Sequence, residues 1–186
     1  MNMQLTAITP IKGKADQKIS IRTPRREDGS DVWQLIKNTA KLDDNSMYCN
    51  LLQCTHFAST CAVAEMDGEI VGWVSGYIPP EDPEAYFVWQ VCVDAKARGK
   101  GLAKRLIAAV LARKVCGNVT HVKSTITSDN KASWALFGSI AETLETELSR
   151  KPHFTRDDHF AGLHDTEFLV TIGPFEREAL PVRSAA

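Results

Sequence analysis

The sequence has no excess of charge of either sign. Its 186 residues include 22 basic and 23 acidic side chains, which leave a formal net charge of -1. Nucleic-acid-binding domains usually carry a basic excess or a basic stripe, whereas the short cluster Arg25-Arg26 is typical of a solvated surface. The charge balance therefore predicts no nucleic-acid partner.

Long apolar segments and paired cysteines are missing as well. The longest apolar run, Leu106 to Ala112, is far shorter than the about 20 residues that span a bilayer, and the first 20 residues hold no apolar signal core. The five cysteines are odd in number and lack C-x-x-C spacing, which excludes a secreted disulfide framework and the usual zinc site. We expect a soluble cytoplasmic protein that uses neither a membrane nor a metal.

Strand and helix patterns are present over most of the chain. Residues 1–18 lack periodicity and predict a disordered leader, residues 19–174 predict one folded domain, and residues 175–186 predict a tail. Asp67-Gly68 between two apolar segments predicts a β-hairpin. Hairpin strands followed by β-α-β units predict a mixed α/β fold with helices on both faces of the sheet.

Three further segments carry local predictions. Asp28 precedes an apolar repeat at helical spacing and is predicted to cap that helix. The segment from Gly101 to Val115 has an apolar stripe and is predicted to be a helix packed on the core. The segment from Thr146 to Asp165 has no clear periodicity, so it carries no prediction of an element.

The sharpest local signal is a glycine-containing loop between a predicted buried strand and that helix. Free amides at a helix start and the positive end of the helix dipole attract a phosphate, and Gly99, Gly101 and Ala103 let it approach the backbone. Lys100, Lys104 or Arg105 is a candidate for a second phosphate contact, with a solvated helix charge as the alternative for each. An isolated G-x-G pair is more typical of a simple tight turn.

Two motifs in this order resemble those of the GNAT acetyltransferases. Arg98-x-x-Gly101-x-Ala103 resembles the acetyl-CoA signature of that family. Asn130-x-x-Ser133 resembles its second helix start, which contacts the pantetheine arm. The resemblance implies a sheet of about seven mostly antiparallel strands, with acetyl-CoA as co-substrate. It assigns contacts with acetyl-CoA to Val91, Val93, Arg98, Gly99, Lys100, Gly101, Leu102, Ala103, Asn130, Ser133 and Phe137.

Phe137 departs from the pattern of that family. A tyrosine often stands at this position, where it protonates the leaving thiolate, and phenylalanine has no proton to give. A thiol with a pKa of about 8.5 leaves as thiolate at a penalty of about 2 kcal/mol at pH 7, so a weak or water-borne acid suffices. The departure leaves the source of this proton open, with Tyr48 as one candidate.

Over residues 19–174 the chain further resembles the diaminobutyrate acetyltransferases of ectoine biosynthesis. The segments that carry this likeness are Leu42 to Tyr48, Asn50 to Phe57, Val71 to Pro80, Val88 to Val93 and Asp129 to Phe137. The resemblance implies transfer of an acetyl group to the N4 amine of L-2,4-diaminobutyrate. It also implies a homodimer.

A substrate with two ammonium groups requires acidic residues around it. Asp43 and Asp44 are candidates for binding, with helix capping or solvation as the alternative. Tyr48 either binds substrate, supplies a proton or only packs. Trp89 either forms a wall of the pocket or fills the core.

The proposed chemistry is direct attack of a neutral amine on the thioester. An amine with a pKa near 10.4 is neutral about once in a few thousand at pH 7, a penalty of roughly 4 to 5 kcal/mol, so a base is useful. Glu167 is the first candidate for this base and His164 the second, while Asp43 holds the α-ammonium. Family structures imply that a backbone amide near Val93 binds the oxyanion.

Two other functions fit the same sequence. The chain is compatible with a GNAT enzyme that acetylates another small cationic amine, such as a polyamine, lysine or an aminoglycoside. The loss of the usual tyrosine at Phe137 is also compatible with a sensor that binds acetyl-CoA without turnover.

Overall fold

A computed structural model describes residues 18–39 and 45–180 of the chain. The strands are β1 (Ile19–Arg22), β2 (Ala62–Met66), β3 (Glu69–Tyr77), β4 (Ala85–Val93), β5 (His121–Thr127), β6 (Leu148–Phe154) and β7 (Glu167–Ile172). The α-helices are α1 (Gly29–Lys37), α2 (Met47–Thr55), α3 (Leu102–Leu111) and α4 (Lys131–Thr143).

The strands form one sheet in the order β1-β2-β3-β4-β5-β7-β6. Neighbouring strands are antiparallel except β4 and β5, which run parallel. The predicted hairpin around Asp67-Gly68 joins β2 to β3, and Asp67 adopts a φ of 53° there. The expected mixed, mostly antiparallel sheet of about seven strands is confirmed.

The parallel pair β4 and β5 separates soon after it begins. The two strands pair only through Ala85 to Phe87 and His121 to Lys123. Beyond that point β4 continues along β3, and β5 continues along β7. The Ser124 hydroxyl donates to the Val88 carbonyl at 2.9 Å where the strands part. The middle of the sheet therefore opens into a split, which we call the β4–β5 split.

Helices cover both faces of the sheet, as predicted. One buried cluster joins α3 and α4 to the sheet, and its helical members include Leu106, Ile107, Val110, Phe137 and Ile140. A second cluster joins α1 and α2 to the opposite face and contains Val32, Leu35, Ile36, Cys54, Cys61, Val63, Trp73 and Cys92.

A close contact between β3 and β4 lies near the start of the split. A Cβ atom at Gly76 would lie 2.5 Å from the phenol oxygen of Tyr86, so only glycine fits there. The Tyr86 hydroxyl donates to the Thr60 carbonyl at 2.8 Å, and burial raises the pKa of this phenol well above its usual range. Tyr86 is therefore a structural residue that ties β4 to the turn before β2.

Asp28 is the N-cap residue of α1, as predicted, but its side chain accepts no hydrogen bond from the amides of that helix, which corrects the predicted capping contact. Its carboxylate accepts hydrogen bonds from the Arg22 guanidinium at 2.7 and 2.9 Å and from the Arg25 backbone N–H at 2.6 Å. Burial would raise the pKa of the Asp28 carboxyl, but these hydrogen bonds outweigh it and hold the pKa below its ordinary value of 3.8. The carboxylate therefore ties β1 to the segment that leads into α1.

The segment that carried no prediction contains the edge strand β6. Its side chains beyond Leu148 are exposed, so the alternation of apolar and polar residues that marks a half-buried strand is missing. Arg150, Lys151 and Pro152 are residue types typical of a sheet edge. The strand is held by its ladder with β7.

Two boundaries differ from the predictions. The helix α3 ends at Leu111, and Lys114–Cys116 form a separate 3₁₀ turn, so the predicted end at Val115 is too late. Phe175 and Leu180 are buried and pack on the core beyond residue 174, the predicted end of the domain. Residues 1–17 of the predicted leader and residues 181–186 of the predicted tail lie outside the described residues.

Candidate active site

The loop after β4 presents its backbone to open space. Gly99 has a φ of +75° and Gly101 a φ of +64°, and a Cβ atom at either position would meet no atom of the described part of the chain within 4 Å. The first hydrogen bond of α3 runs from the Arg105 N–H to the Gly101 carbonyl at 3.1 Å. The preceding amides at the start of α3 thus lack helical acceptors and can bind a phosphate.

Side chains around this loop differ in what they contact. Arg98 Nε donates to the Val93 carbonyl at 3.2 Å, which ties the loop to the end of β4. Lys100 is exposed. Lys104 Nζ donates to Ser139 at 3.0 Å and to Thr143 at 3.1 Å, so this ammonium joins α3 to α4. Leu102 is buried in the core, and only its backbone is available to a ligand.

The start of α4 follows β5 on the other side of the split. Asn130 caps the helix, because its Oδ1 accepts the Ser133 N–H at 3.1 Å. Trp134 Nε1 donates to the Thr127 carbonyl at 3.0 Å and fixes this turn on β5. Phe137 is 3% exposed and belongs to the core cluster under α3 and α4.

Two helix starts therefore flank one split. Parallel strands end at the same edge of a sheet, and the helices that follow β4 and β5 both begin at that edge. Ligands of α/β proteins commonly bind at the carboxyl ends of parallel strands, where such helix starts meet. The arrangement suits a long ligand with an anionic group at α3 and an extended arm between the strands.

Two aromatic residues, Trp89 and Tyr77, lie together at a bulge in β4. Ser75 pairs with Gln90 and Gly76 pairs with Val88, so Trp89 is an extra residue and forms a β-bulge. Trp89 is 48% exposed, and its ring lies 6.4 Å from the Tyr77 ring in an edge-on arrangement. This exposed tryptophan can form a wall for a small substrate rather than fill the core.

The start of α2 lies beside this bulge. Asn45 Nδ2 donates to Gln90 Oε1 on β4 at 3.4 Å. Ser46 caps α2, since its hydroxyl accepts the Cys49 N–H at 3.1 Å. Tyr48 lies in the first turn of the helix and is 69% exposed. The predicted residues Asp43 and Asp44 lie outside the described part of the chain.

Glu167 and His164 lie together at the start of β7. Glu167 pairs with Thr127, the last residue of β5, across the β5–β7 ladder. His164 Nε2 lies 4.0 Å from Glu167 Oε1, and its Nδ1 lies 2.7 Å from the Asp165 carbonyl. A carbonyl can only accept, so Nδ1 carries a proton and Nε2 faces the carboxylate. The structure thus brings the two predicted base candidates into one pair.

A surface cavity of about 460 Å³ adjoins this pair. Its lining consists of Thr127, Asp129, Arg156, Gly162, Leu163, His164 and Asp165. Sequence reasoning missed the cavity because the loop between β6 and β7 was not assigned. It also missed Asn45 and Gln90, whose contact depends on a bulge that the sequence does not reveal.

The described part of the chain contains neither a metal-binding cluster nor a membrane-spanning helix. Within residues 18–39 and 45–180, no group of three or more His, Cys, Asp or Glu side chains is placed to hold a metal ion. None of the helices in these ranges is long and apolar enough to cross a membrane.

Sequence comparisons give a family and named relatives. The model of the acetyltransferase (GNAT) family matches residues 27–140. An L-2,4-diaminobutyric acid acetyltransferase of Methylotuvimicrobium alcaliphilum is 48% identical over 158 residues, which cover 85% of this chain and 92% of that protein. The enzyme of the same name from Chromohalobacter salexigens is 47% identical over 171 residues, covering 91% and 88%.

Structural comparison agrees with these relatives. The chain is similar to the diaminobutyrate acetyltransferase EctA from Paenibacillus lautus, solved with its substrate L-2,4-diaminobutyric acid and coenzyme A. The TM-score is 0.81 at 36% identity, and the match covers 87% of this chain and 98% of that one. Ard1 from Thermoplasma volcanium, at a TM-score of 0.65 and 15% identity over 82% and 95% of the two chains, shares the fold.

Proposed function

Because the chain belongs to the GNAT family, and within it to the diaminobutyrate acetyltransferases, we propose that it acetylates L-2,4-diaminobutyrate at N4 in ectoine biosynthesis. The acetyl group comes from acetyl-CoA. The observation that carries this proposal is the likeness over 87% of the chain to an enzyme solved with both diaminobutyric acid and coenzyme A. The two helix starts beside the β4–β5 split support the same function.

Acetyl-CoA is proposed to lie along the split. Its diphosphate binds the amides of Gly99 to Ala103, and Lys100 provides an exposed charge nearby. Within residues 18–39 and 45–180, no strand lies beside the edge of β4 that faces away from β3 from Val88 onward. The pantetheine arm can therefore bind the backbone of Val91 and Val93 as an added strand would. Asn130 and Ser133 lie at the end of the other wall of the split.

The acceptor amine is proposed to enter from the α2 side. If the parallel register is continued beyond Phe87 and Lys123, Trp89 is level with Thr125. Thr125 lies two residues before Thr127, which pairs with Glu167. Trp89 then forms one wall of the acceptor pocket, and Glu167 lies across the split from it. Asp43 and Asp44 are proposed to bind the α-ammonium group of the substrate.

Glu167 is proposed to take the proton from the N4 ammonium, directly or through water. The neutral amine then attacks the thioester carbonyl carbon, and a C–N bond forms. As the C–S bond breaks, the nitrogen gives up a second proton to water, which leaves the amide. His164 faces Glu167 through Nε2 and can pass the proton onward. The Val93 backbone amide is proposed to bind the oxyanion.

Tyr48 is proposed to return a proton to the leaving thiolate. Phe137 has no proton to donate and is 3% exposed, so it offers little surface to the arm. Tyr48 is exposed in the first turn of α2, beside the acceptor side of the split. A thiolate needs little assistance at neutral pH, so water can replace this residue in part.

We further propose a cytoplasmic homodimer. The five cysteines are free, which fits a reducing compartment. Leu163 is 91% exposed on the loop beside the cavity, and Phe154 is 41% exposed at the end of β6. Apolar side chains exposed beside a site support contact with a second copy.

Thiol release from acetyl-CoA in the presence of purified protein tests the function. The acceptors are L-2,4-diaminobutyrate, lysine, a polyamine and an aminoglycoside, and NMR identifies the acetylated nitrogen. We expect diaminobutyrate to have the highest kcat/KM and to give the N4 product. A higher kcat/KM for another amine would instead establish the broader GNAT alternative. Tight acetyl-CoA binding without turnover of any amine would establish a sensor.

A further inference from the structure

The β-bulge at Trp89 changes the direction of the side chains that follow it. Val88 packs in the cluster under α3 and α4, whereas Cys92 packs in the cluster under α1 and α2. In a regular strand Val88, Gln90 and Cys92 would share one face, because side chains alternate with period two. The extra residue therefore turns Gln90 to the face that α1 and α2 cover.

Gln90 is buried on that face. It is 8% exposed, and its cross-strand neighbour Ser75 is 1% exposed. Its Oε1 accepts the side-chain amide of Asn45 at 3.4 Å. A buried amide is retained where its hydrogen bonds fix a particular arrangement, since leaving its partners unpaired costs about 1–3 kcal/mol.

Asn45 lies at the entry to α2. The next residue, Ser46, caps the helix, and Tyr48 lies in its first turn. A contact at Asn45 therefore sets where α2 begins relative to β4. Because Trp89 precedes Gln90 in the same bulge, that contact also sets the distance between α2 and the exposed tryptophan.

We propose that Gln90 is a positioning residue for the acceptor substrate. It acts through Asn45 by holding the start of α2 against the bulge, so that the acceptor pocket between α2 and Trp89 keeps its width. This inference rests on the proposed function of the chain. It assigns Gln90 to binding of the diamino acid and not to binding of acetyl-CoA, although Gln90 lies on the strand that borders both.

Gln90→Leu tests this role, because leucine keeps the approximate volume and removes the acceptor. We expect KM for diaminobutyrate to rise about tenfold, equal to about 1.4 kcal/mol, while KM for acetyl-CoA stays within about twofold. Asn45→Leu removes the other partner at a less buried position and should give the same pattern. KM for diaminobutyrate should be no higher in the double variant than in either single variant, because each substitution removes the same contact between Asn45 and Gln90.

Gln53→Leu is the matched control. Gln53 is also buried, at 2% exposure, and lies in α2 itself, where its Oε1 accepts the Asn50 amide at 3.0 Å. The same substitution there should leave KM for diaminobutyrate within about twofold of the parent value. Equal increases in Gln90→Leu and Gln53→Leu would overturn the positioning role and indicate general loosening of α2.

Hydrogen–deuterium exchange provides a readout that does not require activity. Gln90→Leu should speed exchange at the first turn of α2, whereas amides of β5 and β7 should keep the parent rates. Unchanged exchange together with unchanged KM for diaminobutyrate would overturn the proposal. If the parent protein turns over no diaminobutyrate, the proposed function fails, and the exchange data still decide whether Gln90 holds α2.

Discussion

The two sides of the β4–β5 split are built in different ways. The side proposed to bind acetyl-CoA, called the acetyl-CoA side, consists mainly of backbone: glycines at positive φ, the amides that begin α3 and the open edge of β4. The side proposed to bind the amine, called the acceptor side, consists of side chains from distant segments, including Asn45, Trp89, His164 and Glu167. Backbone recognition suits a cofactor that many enzymes share, whereas side chains determine which amine enters. Variants on the two sides should therefore change different kinetic parameters.

The largest expected effect is on the acceptor side. Glu167→Gln should lower kcat about 10²- to 10⁴-fold at neutral pH, because it removes the proposed base and keeps the shape of the side chain. The dissociation constant of acetyl-CoA, measured by calorimetry, should not change. Glu176→Gln, at an exposed carboxylate, is the control. A loss below about tenfold, with a greater loss in His164→Gln, would move the role of base to His164.

Tyr48→Phe should have a smaller effect on the same side. The loss in kcat should not exceed about thirtyfold, because the free energy of the thiolate is only about 2 kcal/mol above that of the thiol at pH 7. Pre-steady-state thiol release measures this step. An unchanged rate would show that water supplies the proton, and Tyr48 would then be a packing or substrate-binding residue.

A variant on the acetyl-CoA side should weaken acetyl-CoA binding and leave the binding of diaminobutyrate unchanged. Gly101→Val should raise the dissociation constant of acetyl-CoA about tenfold, because a left-handed conformation costs a non-glycine residue about 1–2 kcal/mol. KM for diaminobutyrate should stay near the parent value. Gly138→Ala is the control, since this glycine lies within α4 with open space around it and alanine favours a helix. Similar affinities for acetyl-CoA in both variants would show that the loop does not bind the diphosphate.

The smallest effect on activity is expected at Asp28, which belongs to neither side. Asp28→Asn should lower the free energy of unfolding by about 1–3 kcal/mol at pH 7 and leave both KM values unchanged. The folded pKa of Asp28 lies below its ordinary value of 3.8, so its stabilisation is complete above that value and is lost as pH falls through the folded pKa. Melting temperatures of parent and variant should therefore converge in acid. A difference in melting temperature that does not shrink as the pH falls below 3.8 would contradict this.

The acetyl-CoA side was easier to predict from sequence than the acceptor side. Gly99, Gly101 and Asn130 lie within short motifs whose conformation depends on neighbouring residues, and the structure places them at two helix starts. Glu167 and His164 were predicted as alternative bases, and their separation of three residues places Nε2 of the one 4.0 Å from Oε1 of the other. The contact of Asn45 with Gln90 joins residues 45 positions apart through a bulge, and no local pattern marks it. Likewise Asp28 had the residue type of a cap, but its ion pair with Arg22 depends on tertiary packing.

The short pairing of β4 with β5 also links the stability of the fold to metabolism. If acetyl-CoA occupies the split as a surrogate strand, it binds the folded chain and not the unfolded one. A ligand at 100 times its dissociation constant then adds about 2.7 kcal/mol to the free energy of unfolding. Depletion of acetyl-CoA would leave the centre of the sheet without that support. The resistance of the folded chain to unfolding would thus depend on the concentration of acetyl-CoA.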